Sequence, residues 1–375
     1  MADLVEPPAL ACAQPIAEDF WQGRRVLLTG HTGFKGSWLA LWLSQMGAHV
    51  TGLALPAEEI SLFHQARIAD LVTHIEGDIR DLAVVEAAVQ AANPEVVFHL
   101  AAQPLVRLSY AQPVETFATN VQGTVHVLDA CRRAPGLKAV VAITSDKAYE
   151  NREWVWPYRE ADPMGGHDPY SASKGAAELV IAAYRRSFFQ NGVGLASVRA
   201  GNVIGGGDWA ADRLIPDIIR ALMAGQRPLI RSPHAIRPWQ HVLEALGGYL
   251  MIAQRLVEGH DWAASAWNFG PAEADTQPVS WVADRLCALW GKDSGWDQPE
   301  NPGPSLHEAG ILKLDCAKAR AILGWRPAFT LETALAQIAQ WHGAVAQGTD
   351  ARALSLAQLA DYRKALAQAL AGKGN

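Results

Sequence analysis

The segment VLLTGHTGFKGSWLA, residues 26–40, runs from an apolar stretch through three glycines into a helical pattern. Gly30, Gly33 and Gly36 are spaced so that a tight turn can follow a strand and open a helix. Such a turn lets the backbone approach a pyrophosphate, whose negative charge then lies at the positive end of the helix dipole. Close packing of a helix on a strand needs the same glycines, so the triplet alone is weak support for a dinucleotide site. The strand before it and the helix after it favour that site.

The first half of the chain repeats this order of strand and helix. Short β-branched runs predict strands, and longer periodic runs predict helices. Because this alternation is typical of parallel sheets flanked by helices, we predict a doubly wound α/β fold of the Rossmann type. The predicted strands are Arg25–Thr29, His49–Leu55, Thr73–Glu76, Val96–Leu100, Ala139–Ile143 and Leu195–Arg199. The predicted helices are Ser37–Met46, Leu82–Ala91, Pro113–Arg132 and Pro169–Gln190.

The alternation ends near residue 205, where three consecutive glycines open a loop. Segments containing Trp, Pro and Arg follow, and two further helices are predicted at Leu331–His342 and Leu356–Leu370. The helix predicted at Val242–Val257 is apolar enough to pack on the main sheet. We therefore predict a Rossmann domain at 20–205 to which 238–262 returns, a smaller interleaved substrate-binding domain at 206–350, and a tail at 1–19.

The composition excludes several classes of protein. Half of the 375 residues are hydrophobic, which is enough for a large core and excludes a disordered chain. A formal net charge of −6 provides no basic surface for nucleic acid or an anionic membrane. The four cysteines form no C-x-x-C pair, and no apolar run approaches the about 20 residues that span a bilayer. We therefore expect a cytoplasmic protein with free thiols, no metal site, and neither nucleic acid nor membrane as a partner.

The end of the second predicted strand leaves the type of dinucleotide open. A ribose is usually bound by an acidic residue about 20 positions after the glycines. Here the strand ends in GLALP, residues 52–56, and the first carboxylate after it is Glu58. No arginine stands there for a 2′-phosphate, so this position does not separate NAD from NADP. Asp78, after the third strand, suits a contact with the adenine amino group and suits a helix cap equally well.

Tyr170 and Lys174 lie four residues apart in DPYSASKGAAE, on one face of a predicted helix. A lysine ammonium beside a tyrosine lowers the pKa of the phenol from its usual value near 10, which makes the tyrosine a base for a hydroxyl group. The same spacing also occurs on solvated helix faces. Ser145 favours a functional role because it follows a buried strand, at the edge where ligand crevices of such sheets lie.

The same strand end carries Asp146 and Lys147 in TSDKAYEN, residues 144–151. One interpretation is that these two side chains belong to a catalytic site. The alternative is a solvated ion pair of little energetic value. Because Tyr170 and Lys174 are predicted at the same edge of the sheet, we favour the catalytic interpretation.

Together these motifs resemble the extended short-chain dehydrogenase/reductase superfamily of nucleotide-sugar enzymes. The glycine turn, HLAAQ at residues 99–103, Asn120, Ser145 and the Tyr170/Lys174 pair carry this resemblance. The longer segments GHTGFKGSWL, TSDKAYEN, RAGNVIGGGDW and IRPWQHVLE are similar, more narrowly, to the CDP-glucose dehydratase family. The resemblance runs from Phe20 to LAQLADY, residues 356–362, which is nearly the whole chain.

The resemblance implies partners as well as a fold. It implies NAD as cofactor, CDP-glucose as small-molecule substrate, and a structural role for Asn120. It also implies deoxysugar biosynthesis for the O-antigen of lipopolysaccharide, and a homodimer or homotetramer in which the helices Pro113–Arg132 and Pro169–Gln190 form a four-helix interface. The residues expected to bind NAD are Gly30, Thr32, Gly33, Phe34, Lys35, Gly36, Asp78, Ile79, Leu100, Ala101, Ala102, Gln103, Tyr170 and Lys174.

The reaction of that family oxidises the sugar at C4, which acidifies the C5 hydrogen, then eliminates the C6 hydroxyl and returns hydride to C6. The product from CDP-D-glucose is CDP-4-dehydro-6-deoxy-D-glucose, with release of water. The resemblance implies that protonated Asp146 gives its proton to the C6 oxygen while Lys147 takes the C5 hydrogen. Burial beside Lys174 and the oxidised nicotinamide would favour the neutral form that Lys147 needs. The expected catalytic residues are Ser145, Asp146, Lys147, Tyr170 and Lys174.

Arginine forks suit phosphate oxygens, and the resemblance assigns the substrate diphosphate to Arg231 and Arg237, together with Asn202. Arg213 and Glu308 are expected to contact the diphosphate or a ribose. The alternative for the arginines is an ordinary surface position near a turn.

Fourteen tryptophans suggest stacking on a base. Most of them, including Trp38 and Trp42, fall at helical spacing among apolar residues, so we expect them in the core or in an interface. Trp209 and Trp239 flank the predicted substrate loops, and we expect only these two to contact the substrate.

Two other functions remain open. A nucleotide-sugar 4-epimerase or ketoreductase of the same superfamily needs Tyr170 and Lys174 but not Asp146 and Lys147. A non-catalytic nucleotide-binding regulator would need the fold alone. The full set of catalytic residues argues against a regulator, whereas the cytosine base depends wholly on the resemblance.

Overall fold

The structure is a computed structural model that describes residues 16–190, 192–291, 295–299 and 310–371. Within these residues the strands are β1 Arg25–Thr29, β2 His49–Ala54, β3 Thr73–Glu76, β4 Val96–His99, β5 Ala139–Ile143, β6 Gly194–Ala200, β7 Asn202–Ile204, β8 Ile236–His241, β9 Ala266–Phe269 and β10 Thr276–Pro278. The α-helices are α1 Glu18–Trp21, α2 Phe34–Gln45, α3 Leu62–Gln65, α4 Leu82–Ala92, α5 Val106–Ala111, α6 Pro113–Phe117, α7 Gly123–Cys131, α8 Pro169–Phe188, α9 Leu214–Met223, α10 Val242–Val257, α11 Val279–Trp290, α12 Leu331–Ala346 and α13 Ala351–Ala371. Short 3₁₀ turns lie at Ile68–Leu71, Asp146–Ala148, Asp261–Ala263 and Glu273–Asp275, and π-helical turns at Ala118–Gln122 and Ala319–Leu323.

A parallel sheet of seven strands, in the order β3-β2-β1-β4-β5-β6-β9, forms the centre of the molecule. The predicted doubly wound α/β fold is therefore confirmed. The strand order reverses direction between β1 and β4, and a ligand crevice is expected outside the carboxyl ends of the strands at such a point. The segments that follow β1, β4 and β5 are consequently neighbours, although they are far apart in the chain.

Several elements were not predicted, among them β9 in the main sheet, which lies after the regular alternation of strands and helices has ended near residue 205. The predicted helix Pro113–Arg132 is divided into α6, a π-helical turn at Ala118–Gln122, and α7. Such single π turns widen a helix locally and often occur at functional sites.

The C-terminal half contributes to the main sheet and to a small second sheet. α10 packs on β5 and β6, and β9 extends the main sheet beyond β6. The small sheet has the order β10-β8-β7, with β8 and β10 antiparallel and β7 and β8 parallel. The domain boundaries given above remain a prediction.

Buried tryptophans on α2 hold distant segments together. Trp38 donates its indole N–H to the Gly206 carbonyl at 3.0 Å, and the Trp42 ring meets the Tyr362 ring edge-on at 5.7 Å. α2 is thereby fixed to the glycine loop after β7 and to α13. No helix in the described part of the chain is both long and apolar enough to cross a bilayer.

Candidate active site

The glycine turn after β1 has the geometry that a pyrophosphate requires. Gly30 has φ +77°, and a Cβ there would lie 2.7 Å from the Ala101 nitrogen. A Cβ on Gly36 would lie 2.1 Å from the Gly30 carbonyl oxygen, so both positions require glycine. Gly33 is the N-cap of α2, and no side chain caps this helix. A Cβ on Gly33 would meet only the Gly30 carbonyl oxygen, at 3.4 Å, so the helix N-terminus is open to an anion.

The segment after β4 runs alongside this turn. The Ala101 N–H donates to the Thr29 hydroxyl at 3.2 Å. The Asn120 side chain accepts from the Gln103 N–H at 2.8 Å and donates to the Gln103 carbonyl at 3.0 Å. It also donates to the Ser173 hydroxyl at 2.8 Å. These bonds agree with a structural role for Asn120, but they join a loop to α8 and not one strand to another.

On the far side of the glycine turn, Asp78 is engaged by Arg80. The Asp78 carboxylate accepts from the Arg80 guanidinium at 2.6 Å and from its N–H at 2.8 Å, which holds the pKa of Asp78 below its usual value. Asp81, and not Asp78, caps α4 by accepting from the Ala83 N–H at 2.9 Å. The capping alternative for Asp78 is therefore wrong, and its contact with adenine remains a prediction.

Six more of the expected cofactor residues lie in the segments that follow β1, β3 and β4. The Thr32 hydroxyl donates to the Leu55 carbonyl at 3.0 Å, at the end of β2. Phe34 and Lys35 form the first turn of α2, and the buried Ile79 follows β3. Leu100 and Ala102 belong to the segment after β4 already described.

Tyr170 and Lys174 are buried on the first two turns of α8, whose N-cap is Asp168. The Lys174 Nζ donates to the Ile143 carbonyl at 3.5 Å, at the end of β5. Burial, followed by the charge of Lys35, lowers the pKa of Lys174 to about 7. The spacing of the two residues thus places both side chains at the crevice, as predicted.

The pKa of Tyr170 lies above its usual value and not below it. We expected Lys174 to lower the pKa of the phenol, but burial raises the pKa of Tyr170 to about 12. Loss of hydration outweighs the hydrogen bond with Ser145 and the charge of Arg213, which both act to lower it. In the chain without ligands, Tyr170 is therefore a protonated phenol at neutral pH.

Ser145, Asp146 and Lys147 form a tight turn at the end of β5. The Ser145 hydroxyl donates to Asp146 Oδ1 at 3.0 Å and accepts from the Lys147 N–H at 3.2 Å. Asp146 is 3% exposed, and its Oδ2 has no hydrogen-bond partner among the described residues. Burial raises the pKa of Asp146, which suits a general acid. Lys147 is only half-buried, less than we expected.

Two of the predicted arginines lie beside these groups. Arg213 pairs with the buried Asp208 at 3.0 Å and acts electrostatically on Tyr170. Arg237 is buried on β8, donates to the Ile236 carbonyl at 2.9 Å, and acts to lower the pKa of Asp146. Both arginines thus act electrostatically on the catalytic groups, and their contact with a diphosphate stays a prediction.

The remaining substrate residues are more dispersed. Arg231 is 44% exposed and lies 3.7 Å from the Asp212 carboxylate, which also lies 3.7 Å from Arg107. Asn202 begins β7. Glu308 lies outside the described residues. The assignment of these residues to substrate remains a prediction.

Trp239 is buried beside the small sheet and donates to the Gln277 carbonyl at 3.0 Å. Its contact with substrate stays a prediction. The Trp209 indole donates to Gln65 at 2.9 Å, and its ring meets the His342 ring edge-on at 4.7 Å. Both tryptophans are thus held by protein contacts.

Sequence reasoning missed a buried ion pair behind the site. Glu178 on α8 and Arg199 on β6 lie 2.8 Å apart, and the Tyr149 hydroxyl bonds to Arg199. A charged residue in the apolar run LASVRA was a usable signal, because charge in a buried strand needs a partner.

Among the described residues, no three His, Cys, Asp or Glu side chains are placed together to hold a metal ion. The side chains that the structure brings together at the carboxyl ends of the strands include those of Ser145, Asp146, Lys147, Tyr170 and Lys174, beside an open helix N-terminus.

Comparison with known proteins agrees with this geometry. The description "NAD dependent epimerase/dehydratase family" matches residues 26–265. The chain is 54% identical to the CDP-glucose 4,6-dehydratase of Salmonella typhimurium over 93% of this chain and 99% of that protein. A solved epimerase of Methanothermobacter thermautotrophicus superposes with a TM-score of 0.74 at 22% identity, covering 89% of this chain and 98% of that one. The dTDP-glucose 4,6-dehydratase of Bacillus anthracis, solved in complex with NAD, superposes with a TM-score of 0.72 at 20% identity, covering 85% and 96%.

Proposed function

The chain belongs to the NAD dependent epimerase/dehydratase family, and from this membership we propose that it is a hydro-lyase converting CDP-D-glucose to CDP-4-dehydro-6-deoxy-D-glucose and water. The observation that carries the proposal is the Asp146–Lys147 turn beside Tyr170 and Lys174, in a chain so similar to a CDP-glucose 4,6-dehydratase. A dehydrogenase has no need of this second acid and base.

The cofactor is NAD. The open N-terminus of α2 and the glycines at positions 30, 33 and 36 fit its pyrophosphate. When bound, NAD would supply the hydride chemistry of the reaction at C4 and C6.

Tyr170 acts at C4. Its phenolate takes the proton of the C4 hydroxyl while the hydride leaves the same carbon, so that a ketone forms. Because burial alone keeps the phenol protonated, Tyr170 depends on positive charge around it, and Arg213 already acts in that direction. Ser145 lies beside the phenol and shares the proton of the C4 hydroxyl.

Asp146 and Lys147 act on the next two carbons. The new ketone acidifies the C5 hydrogen, which Lys147 removes as a proton. The electron pair of the C5–H bond forms the C5–C6 double bond as the C6–O bond breaks, and Asp146 gives its proton to the departing oxygen, which leaves as water. Burial raises the pKa of Asp146, which favours the protonated form that this step uses. Return of hydride to C6 and of a proton to C5 completes the product.

An epimerase or ketoreductase of the same fold remains the second candidate, because such enzymes share the Tyr/Lys pair. Mass spectrometry separates the three outcomes. A dehydratase yields a product lighter by one water, an epimerase yields one of unchanged mass, and a non-catalytic regulator yields none. Turnover should be compared across CDP-, dTDP-, GDP- and UDP-glucose to identify the base.

Lys147→Ala tests the assignment of the base. We expect this variant to bind NAD normally and to lose water release by at least about 100-fold, a typical contribution of a general base. Oxidation at C4 should persist. Lys364→Ala, at a side chain that is 77% exposed on α13, is the matched control and should keep full activity. A Lys147→Ala enzyme that dehydrates CDP-glucose at the wild-type rate would refute the assignment.

We also infer that the chain forms a homodimer through α6, α7 and α8, and that two such dimers can pair. α6 and α7 pack beside α8, and large apolar side chains stay exposed on α6 and α8. These are Val114, Phe117, Leu179 and Phe188. Exposed apolar groups on adjacent helices support an interface between copies of the chain.

We place the enzyme in the cytoplasm. The buried free thiols of Cys131, Cys287 and Cys316 suit a reducing compartment. From the family resemblance we further propose that the product enters deoxysugar biosynthesis for the O-antigen of lipopolysaccharide.

A further inference from the structure

A buried ion pair lies directly behind the catalytic turn. The Arg199 guanidinium donates to both oxygens of the Glu178 carboxylate, each at 2.8 Å, and both side chains are 4% exposed. Burial acts to raise the pKa of Glu178, but the bonds from Arg199 hold it below its usual value. A buried ion pair is a weak source of stability, because removing two charges from water costs about as much as their attraction returns. This pair therefore calls for another role.

The ion pair holds both ends of the catalytic turn. At the front end, the Thr144 hydroxyl donates to Glu178, and the Thr144 N–H donates to the Val198 carbonyl at 2.9 Å. At the back end, Arg199 donates to the Tyr149 hydroxyl at 2.6 Å, and that hydroxyl donates to Asn268 at 2.8 Å. Ser145, Asp146 and Lys147 lie between these two anchors.

Glu178 also lies on α8, the helix that carries Tyr170 and Lys174. Tyr170, Lys174 and Glu178 are spaced four residues apart on α8, so their side chains lie on one face of the helix. Glu178 acts electrostatically on Lys174 as well. One ion pair thus connects the residues that act at C4 to the turn that acts at C5 and C6.

We propose that Glu178, Arg199 and Tyr149 are positioning residues for the elimination step, which fix Asp146 and Lys147 relative to the sugar held at C4. This inference rests on the proposed function. None of the three touches a reacting atom. The step requires an acid and a base placed on adjacent carbons of one ring, and a misplacement of about 1 Å can cost about 100-fold in rate.

Tyr149→Phe tests the proposal, with Tyr158→Phe as the matched control. The Tyr158 ring stacks on Tyr149 at 5.1 Å and is equally buried, but its hydroxyl bonds to the Arg152 N–H and to Asn151. Both variants lose one buried hydroxyl from the same stack. Only Tyr149→Phe loses the contact with Arg199.

The measurements on the NAD-loaded protein are water release from CDP-glucose, deuterium uptake at C5 from heavy water, and reduced nicotinamide formed at C4. We expect Tyr149→Phe to lower kcat for water release about 10- to 100-fold, with KM for CDP-glucose within about twofold. Deuterium uptake should fall with it, while oxidation at C4 persists. Tyr158→Phe should keep the wild-type ratio of the three steps.

Thermal unfolding of both variants separates positioning from folding. Should Tyr149→Phe not fold, Thr144→Val removes the other anchor with an isosteric side chain and should show the same imbalance between C4 oxidation and water release. Equal losses in all three steps, or the same ratio in Tyr149→Phe and Tyr158→Phe, would overturn the proposal. A wild-type protein that releases no water from CDP-glucose would instead contradict the proposed function.

Discussion

At the scale of single residues, burial gives two neighbours different chemistry. Asp146 and Lys147 share one tight turn, yet Asp146 is buried and Lys147 is half-buried. Burial disfavours the ionised carboxyl and raises the pKa of Asp146, which favours the protonated form that a departing hydroxyl needs. Water release should therefore fall as pH rises through the raised pKa of Asp146, since only its protonated form can donate.

Lys174 allows a test of burial that does not depend on activity. Its pKa falls from 10.5 in the unfolded chain to about 7 when buried, so the folded state binds fewer protons between these values. Stability must therefore rise with pH from about 7 to about 10.5, and the penalty for burying the charge is fully present at lower pH. Each pKa unit corresponds to about 1.4 kcal/mol, so the penalty at neutral pH is a few kcal/mol.

We accordingly expect Lys174→Met, although inactive, to be more stable than the wild type by a few kcal/mol at pH 7. The difference should shrink steadily toward pH 10, as followed by urea unfolding. Lys364→Met, at an exposed site, is the control and should show no such trend. A difference that stays constant with pH would contradict the burial of a charged Lys174.

At the scale of elements, the sequence predicts the strands and helices that follow a regular alternation and misses those that do not. The alternation of β1 to β6 with helices was readable because short β-branched runs recur in a regular order with longer helical patterns. β9 lies outside that alternation, and the π turn at Ala118–Gln122 interrupts a helical pattern without ending it, so neither was predicted.

The glycine turn allows a sharper test at this scale, because two of its glycines serve different purposes. A Cβ at position 36 would lie 2.1 Å from the Gly30 carbonyl oxygen, whereas a Cβ at position 33 finds only one contact, at 3.4 Å. Gly36→Ala should therefore lose about 1–3 kcal/mol of stability through overpacking, together with NAD affinity. Gly33→Ala should fold with wild-type stability and still bind NAD at least about 10-fold more weakly, if the pyrophosphate lies against it.

Thermal unfolding and calorimetric titration with NAD, run on both variants, distinguish these effects. If Gly33→Ala bound NAD as tightly as the wild type, the pyrophosphate would have to lie elsewhere. A Gly36→Ala variant as stable as the wild type would show that Gly36 does not lie as close to the Gly30 carbonyl as the structure places it.

At the scale of the whole molecule, the site is an assembly of distant segments. Residues 30–36, 99–103, 144–149, 170–178 and 208–237 meet only because the strands are parallel and their carboxyl ends share one edge. Motifs could identify Tyr170 and Asp146 one at a time. They could not show that Arg213 acts on Tyr170 or that burial raises the pKa of the phenol, because both depend on packing between segments.

The helices α6 and α8 connect the site to the assembly of the molecule, because α8 carries Tyr170 and Lys174 on one face and exposed apolar groups on another. Leu179 is 64% exposed there, and Leu229, in the C-terminal half, is also 64% exposed.

If copies pair through α6 and α8, Leu179→Glu buries a charge in the interface and should give a monomer by light scattering after gel filtration. Leu229→Glu makes the same change of charge and should remain a dimer. A Leu179→Glu protein with the mass of the wild-type oligomer would show that the interface lies on another surface. A wild-type protein that is itself a monomer would show that this interface does not form. In either case, α8 must be held in place by contacts within one chain, among them the Glu178–Arg199 pair.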